Sequence, residues 1–312
     1  MPPSRLRAAR LVAALSGLTL LTAACTSPSP GSATSKAPLP AESSATPALA
    51  DGHVDKLLVF VVENKSVEQE MTQMPYVKGL AETYGYAADY TAIQHPSLPN
   101  YLAIFGGQTY GVNDDEPPSA HTAAGPSVFG EALRAGRTAK LYAEAMPSNC
   151  ATNPEGRYAV KHNPWAYFVD ERADCTQFDV PFDAFAGDVA SGSLPNLGMA
   201  IPDMCNDAHD CELSVTNTWL TARMQEILAG PDWRSGRLAI VITADEDDGR
   251  HGNQILTVVV HPSLHHVIAT TPLTHFSLTR AYAEVAGVAP LASGAAADSM
   301  LTAFHLQATA RG

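Results

Sequence analysis

Apolar residues fall along this chain in distinctive runs. Leu57–Val62 reads L-L-V-F-V-V without a polar break and stops at Glu63-Asn64. Arg237–Thr243 is alike, and its aliphatic stretch leads into T-A-D-E-D-D-G over 243–249. Short unbroken runs of this kind predict strands buried on both faces, as in a parallel sheet. Further strands are predicted over 87–93, 138–143, 196–202 and 255–260. Helical spacing is predicted from Ser66 to Tyr84 with a break near Pro75, then over Ser127–Ala135, Ser214–Leu228 and Phe276–Val285. Another helix opens within H-P-S-L-P-N at 95–100, with Pro99 near its first turn. The β-α-β alternation shows no internal repeat. It predicts an α/β fold, a mostly parallel central sheet flanked by helices on both faces. Ligands in such folds gather at the carboxyl ends of the strands.

The first fifty residues break this pattern. Arg5, Arg7 and Arg10 precede the apolar Leu11–Leu21, which falls short of the roughly 20 residues that span a bilayer. Leu21-Thr22-Ala23-Ala24-Cys25 resembles a lipobox. Residues 1–24 are therefore expected to be a signal peptide and Cys25 a lipidated N-terminus, with ordinary cleavage after Ala24 as the alternative. Thr26–Ala50, rich in Ser, Pro, Ala and Thr, is expected to be a disordered tether reaching roughly 25–30 Å. Residues 51–312 remain for one catalytic domain. The expected address is the outer face of the cell membrane as a lipoprotein, or the medium.

Charge narrows the partners. Without the three leader arginines, 16 basic residues face 32 acidic ones. Such a surface argues against nucleic acid. Besides Cys25, the cysteines are Cys150, Cys175, Cys205 and Cys211. An even set in an exported chain predicts two disulfides with three possible connectivities, free buried thiols being the alternative. The short spacing favours Cys205 with Cys211, leaving Cys150 with Cys175. No C-x-x-C is present, which excludes zinc-finger and thioredoxin chemistry.

Chemistry is expected where strands end. Glu63-Asn64, His95-x-Ser97 and Asp245-Glu246 each follow a predicted strand, so a parallel sheet brings them to one edge. Carboxylates gathered there repel unless they are solvated or share a cation, and hard oxygen ligands suit a divalent one. Ser97, just before a helix, reads as an N-cap, and the same place at the positive end of the helix dipole suits a nucleophile, the two roles being compatible.

Six segments carry a resemblance. V-V-E-N-K-S, H-P-S-L-P-N-Y-L-A-I-F-G-G, K-H-N-P-W, N-D-A-H-D, T-A-D-E-D-D-G-R-H-G-N-Q-I and Thr274-His275 occur in that order. Together they resemble the bacterial phosphoesterase family of acid phosphatases and non-specific phospholipases C, over about Leu57 to Val288. The resemblance implies an alkaline-phosphatase-like core with Ser97 as nucleophile, flanked by His95 and Asn100. It implies Glu63, Asn64, Asp245 and Glu246 as metal ligands, with Asp247 and Asp248 outside the ligand set. Phosphate contacts are implied for Asn100, Lys161 and His162, and phosphate or metal contacts for His209 and His275. Asp203, Asp207 and Asp210 crowd His209, and Asp207 is the most promising of them. Two-metal relatives carry Asp four residues before that histidine, where this chain has Cys205. One divalent metal ion, or none, is implied.

The expected activity is phosphoric monoester hydrolysis through a phosphoserine, on a phosphorylated small molecule or a phosphoinositide. The alternatives are a phospholipase C-type phosphodiesterase and a lipoprotein solute-binding protein. The absence of C-x-P-x-R argues against a sulfatase.

Overall fold

The computed structural model describes residues 51–309. The expected signal peptide, Cys25 and the tether lie outside the described residues. Eight strands form the main sheet, in the order Val267–Ala269, Gly85–Ala87, Thr257–Val260, Leu238–Ala244, Lys56–Val62, Leu197–Ile201, Ala139–Ala143 and Asp179–Pro181. All neighbours pair in parallel except those of Thr257–Val260, which runs antiparallel to both strands beside it. Every residue of 57–62 and 238–244 is buried, as the unbroken apolar runs require.

Register sets the chemistry. Lys56 pairs with Leu238 and Val62 with Ala244, so the two central strands finish level. Glu63 and Asp245 therefore leave the sheet side by side.

Helices cover both faces. Phe60 packs against Phe185 and Trp219, which bring in helices Asp183–Ser191 and Leu213–Ala229. Helix His275–Ala286 lies against the central strands, with the Tyr282 hydroxyl donating to Gly198 O at 2.7 Å. The expected break near Pro75 is present: helix Val67–Gln73 is capped by Ser66 with Gln69 in a capping box, and Pro75–Thr83 restarts after Met74. Cys150 pairs with Cys175 and Cys205 with Cys211. Among the described residues no helix is long and apolar enough to cross a membrane.

One predicted strand is corrected. The segment 87–93 splits: Gly85–Ala87 joins the main sheet, while Tyr90–Thr91 pairs with Leu273–Thr274 in a separate two-stranded sheet. Asp89 interrupts the apolar run, and its carbonyl accepts the Leu273 amide at 2.9 Å. Ser97 thus reaches the sheet edge on a loop from this small ribbon and not at the end of a central strand.

Candidate active site

Ser97 is the first residue of helix Ser97–Gly106, and Pro96 occupies the cap position. The hydroxyl is therefore not spent on capping. It donates to Glu63 Oε2 at 3.2 Å and lies 3.5 Å from Lys161 Nζ. Asn100, one turn on, fixes the approach to the helix. Its Oδ1 accepts the Ile93 and Gln94 amides, and its Nδ2 donates to Gln94 O at 2.6 Å and Pro96 O at 3.2 Å. The side chain is wholly buried and holds the loop that presents Ser97.

Glu63 is the hub of the site. Its Oε1 accepts the Tyr101 hydroxyl at 2.7 Å and lies 3.2 Å from His162 Nε2. The other nitrogen of that ring stands 3.3 Å from Asp207 Oδ2, and the ring stacks on Tyr101 with centroids 5.1 Å apart. The Glu63 amide donates to Asp207 O at 2.8 Å, which ties the 205–211 loop to the strand end. That loop is closed by the Cys205–Cys211 disulfide, so Asp207 and His209 ride on a short covalent ring. His209 Nε2 lies 3.3 Å from Lys161 Nζ, and its Nδ1 lies 2.8 Å from Asp210 Oδ1. Asp203 accepts the Cys205 and Asn206 amides.

The four acids after strand Leu238–Ala244 divide by role. Asp245 Oδ1 accepts the Asn64 amide at 3.3 Å and the Glu246 amide at 2.8 Å. Glu246 Oε2 lies 2.9 Å from His95 Nδ1 and 3.4 Å from Asn100 Nδ2. Asp247 is buried and accepts the Gly249, His251 and Asn253 amides, organising its own loop. Asp248 pairs with Arg250 at the rim. His275 is also buried. Its ring lies 2.6 Å from Asp245 O and 3.2 Å from the Tyr90 hydroxyl, so both nitrogens are engaged in holding the acidic turn.

Burial governs the electrostatics. Desolvation, followed by the Asp245 and Asp207 carboxylates, pushes Glu63 well above the ordinary range. Burial likewise raises Asp207 and Asp245 to about 7 and, with Asp245 beside it, Glu246 to about 9. His162 is held well below its ordinary value by burial, then by Lys161 and His209. Burial opposes the Lys161 charge, but Glu63 and Asp115 outweigh it and hold the ammonium above its usual range.

Several atoms here lack a hydrogen bond. Asn64 Oδ1 and Asp245 Oδ2 are buried with none, and Asp207 Oδ2 and His162 Nε2 have only the ion-pair contacts given above. Buried polar atoms are normally satisfied, so orphans among excess carboxylates are the donors a cation would use. Glu63, His162 and Asp207 also bring one ligand atom each within 4.8 Å of one another. Carboxylates, a carboxamide and an imidazole fit a divalent ion.

Two contributors were absent from the expected site. Tyr101 follows Ser97 by one helical turn, and that spacing was its available signal. Asp115 donates nothing to a recognisable pattern; it sits in D-D-E between Asn113 and Pro117, where charge reads as a solvated loop. Its Oδ2 nevertheless lies 3.0 Å from Lys161 Nζ.

A serine at a helix start faces carboxylates and a lysine at the carboxyl edge of a mostly parallel sheet of alkaline-phosphatase-like fold, and the family and relatives given next make the chain a phosphoric ester hydrolase. The fold is similar to that of a protein in the alkaline phosphatase superfamily from Vibrio parahaemolyticus, with TM-score 0.51 and 12% identity over 78% of this chain and 68% of that one. The Phosphoesterase family matches residues 54–259, and the chain belongs to that family. It is 31% identical to the phosphatidylinositol-3-phosphatase of Mycobacterium tuberculosis over 236 residues, 74% of this chain and 77% of the relative. It is 28% identical to a phosphate-repressible acid phosphatase of Penicillium chrysogenum, covering 61% of this chain and 49% of the longer fungal protein.

Proposed function

We propose that this enzyme is a phosphoric monoester hydrolase in which Ser97 Oγ attacks phosphorus and carries the phosphoryl group as a phosphoserine. The observation that carries this is the Ser97 hydroxyl, held between Glu63 Oε2 at 3.2 Å and Lys161 Nζ at 3.5 Å at the start of a helix. Glu63 Oε2, ionised when a cation offsets its carboxylate neighbours, is the acceptor at hand for the hydroxyl proton. Lys161 and the first-turn amides face the charge that gathers on the phosphoryl oxygens. His209 Nε2, beside Lys161, is placed to protonate the leaving oxygen and later to take a proton from the water that cleaves the phosphoserine. A divalent cation at Asn64, Asp245 and Glu63 would add positive charge for the same oxygens.

The substrate class is a phosphorylated small molecule or a phosphoinositide headgroup, which the name of the mycobacterial relative supports. Acid phosphatase activity is supported by the fungal relatives. Export and a lipid anchor at Cys25 are proposed from the leader alone; a diacylated Cys25 in intact-mass spectra of the membrane fraction tests them.

Turnover of p-nitrophenyl phosphate against its bis-ester tests the reaction class. The monoester should be strongly preferred, and Ser97→Ala should lower kcat by roughly 10³-fold or more with the fold intact. Preference for the bis-ester would make the chain a phospholipase C-type phosphodiesterase instead. Near-native turnover by Ser97→Ala would remove the nucleophile.

A further inference from the structure

Asp115 stands outside every motif segment, yet its carboxylate holds two donors beside the nucleophile. Oδ1 accepts the Leu98 amide at 3.0 Å, and Oδ2 lies 3.0 Å from Lys161 Nζ. Leu98 follows Ser97 in the first turn of helix Ser97–Gly106, where backbone N–H groups have no helical acceptor. A phosphoryl group bonded to Ser97 Oγ needs these same donors, the amides at the positive end of a helix and the cation within reach. The carboxylate holds donors that suit a phosphoryl oxygen.

The chain is pinned on both sides of it. Val112 O accepts Gln94 Nε2 at 3.1 Å, and Glu116 O accepts the Tyr167 hydroxyl at 3.1 Å. Asp114 accepts the Glu116 amide at 3.1 Å and pairs with His121. Asp115 is thus delivered to the site by a braced loop. Nothing in the reaction itself calls for another negative charge there, because Glu63 already accepts the Ser97 hydroxyl and His209 already stands beside Lys161.

We propose that Asp115 is a built-in anion competitor of the phosphoryl site: its carboxylate competes with phosphoryl anions for the Leu98 amide and Lys161. Free phosphate, which offers only its charge, is held weakly and leaves readily after turnover. An ester displaces the carboxylate because the rest of the substrate adds contacts that phosphate lacks. The role rests on the phosphomonoesterase reading given above. It predicts the opposite sign from a bracing role, since loss of a competitor tightens anion binding whereas loss of a brace for Lys161 weakens it.

Asp115→Asn keeps the shape and an acceptor for the Leu98 amide while removing the charge. Inorganic phosphate is titrated calorimetrically into the full-length wild type and variant, and phosphate inhibition of p-nitrophenyl phosphate turnover is measured alongside. Phosphate Kd and its inhibition constant should both fall by at least ~10-fold, with KM falling in step. Unchanged or weaker phosphate binding, in a variant with a native melting curve, overturns the proposal. If Asp115→Asn melts early, Asp115→Ser removes the same charge and is read by the same criterion. Absence of monoester turnover in the wild type would sink the functional reading alone, because the two calorimetric constants would still decide the role of Asp115.

Discussion

Tyr101 donates its hydroxyl to Glu63 Oε1 at 2.7 Å, while Ser97, one turn earlier on the same helix, donates to Oε2 at 3.2 Å. One helix therefore grips both oxygens of the strand-end carboxylate. The spacing is the ordinary i, i+4 of an α-helix, so the grip follows from placing both hydroxyls on one face. Tyr101 also stacks on His162, which lies 3.2 Å from the same Oε1.

Tyr101→Phe isolates the hydroxyl, because the stacked ring remains. The buried Glu63 oxygen loses its hydroxyl donor, which costs about 1–3 kcal/mol of stability. Glu63 then shifts relative to Ser97, and kcat should fall by about 10-fold or more while KM changes less. Paired melting curves and steady-state kinetics check this; a stability loss with unchanged kcat would restrict Tyr101 to the core.

Much of this was legible because apolar runs mark buried strands without needing to know their partners. Leu57–Val62 and Leu238–Ile242 placed Glu63 and Asp245 at one edge before any pairing was known. The short spacing of Cys205 and Cys211 likewise pointed to the pairing observed. What stayed hidden depends on loop geometry. Asn100 and His275 have the residue types of ligands, yet most of their bonds go to backbone groups of Ile93, Gln94, Pro96 and Asp245, with Glu246 and the Tyr90 hydroxyl as their side-chain partners. Which carbonyls and amides a loop leaves unpaired is not written in periodicity. Asp115 was hidden for the same reason, since a polar loop gives no sign of the direction it folds. The misread strand at 87–93 moved Ser97 off the central sheet without moving it from the site, because the Tyr90–Thr91 ribbon runs beside Leu273–Thr274 and delivers both Ser97 and His275 to the acidic turn.

A second prediction concerns pH and the support beneath His162. Asn163 follows that histidine and donates to Asp179 Oδ2 at 2.8 Å, while Asp179 Oδ1 has no partner. Burial pushes Asp179 from its ordinary 3.8 up to about 8, opposed by Asn163 and Arg172. A raised carboxyl keeps its proton in the folded state while the unfolded chain ionises. Its contribution is complete below about pH 4 and is lost as pH rises toward 8, at about 1.4 kcal/mol per unit. Asp179→Asn mimics the protonated form. Its Tm should match wild type at pH 4 and exceed it at pH 7. Calorimetric scans at both values decide it, and an equal offset at the two pH values would rule out titration of Asp179.

The last prediction returns to the acidic turn after the central strand. Asp245 is raised to about 7 by burial, its Oδ2 has no hydrogen-bond partner, and Glu63 and Glu246 lie close by. In chelated protein this carboxylate opposes folding. The stability it supplies when protonated is lost as pH climbs from about 4 through 7, so Asp245→Asn should raise the Tm at neutral pH. The substitution keeps an acceptor for the Asn64 and Glu246 amides that Oδ1 now serves. With a divalent cation present the sign reverses. The wild type gains stability in proportion to ion binding, and Asp245→Asn gains little. Catalysis should drop to a trace, because charge stabilisation by a bound cation is worth several kcal/mol in the transition state. Thermal scans with and without added Mg²⁺, Mn²⁺ or Zn²⁺, paired with metal analysis, separate the two effects. Should exhaustive chelation leave wild-type activity intact while Asp245→Asn stays inactive, the cation is rejected. Asp245 would then act through its negative charge beside Lys161, since the amide contacts of Oδ1 survive the substitution.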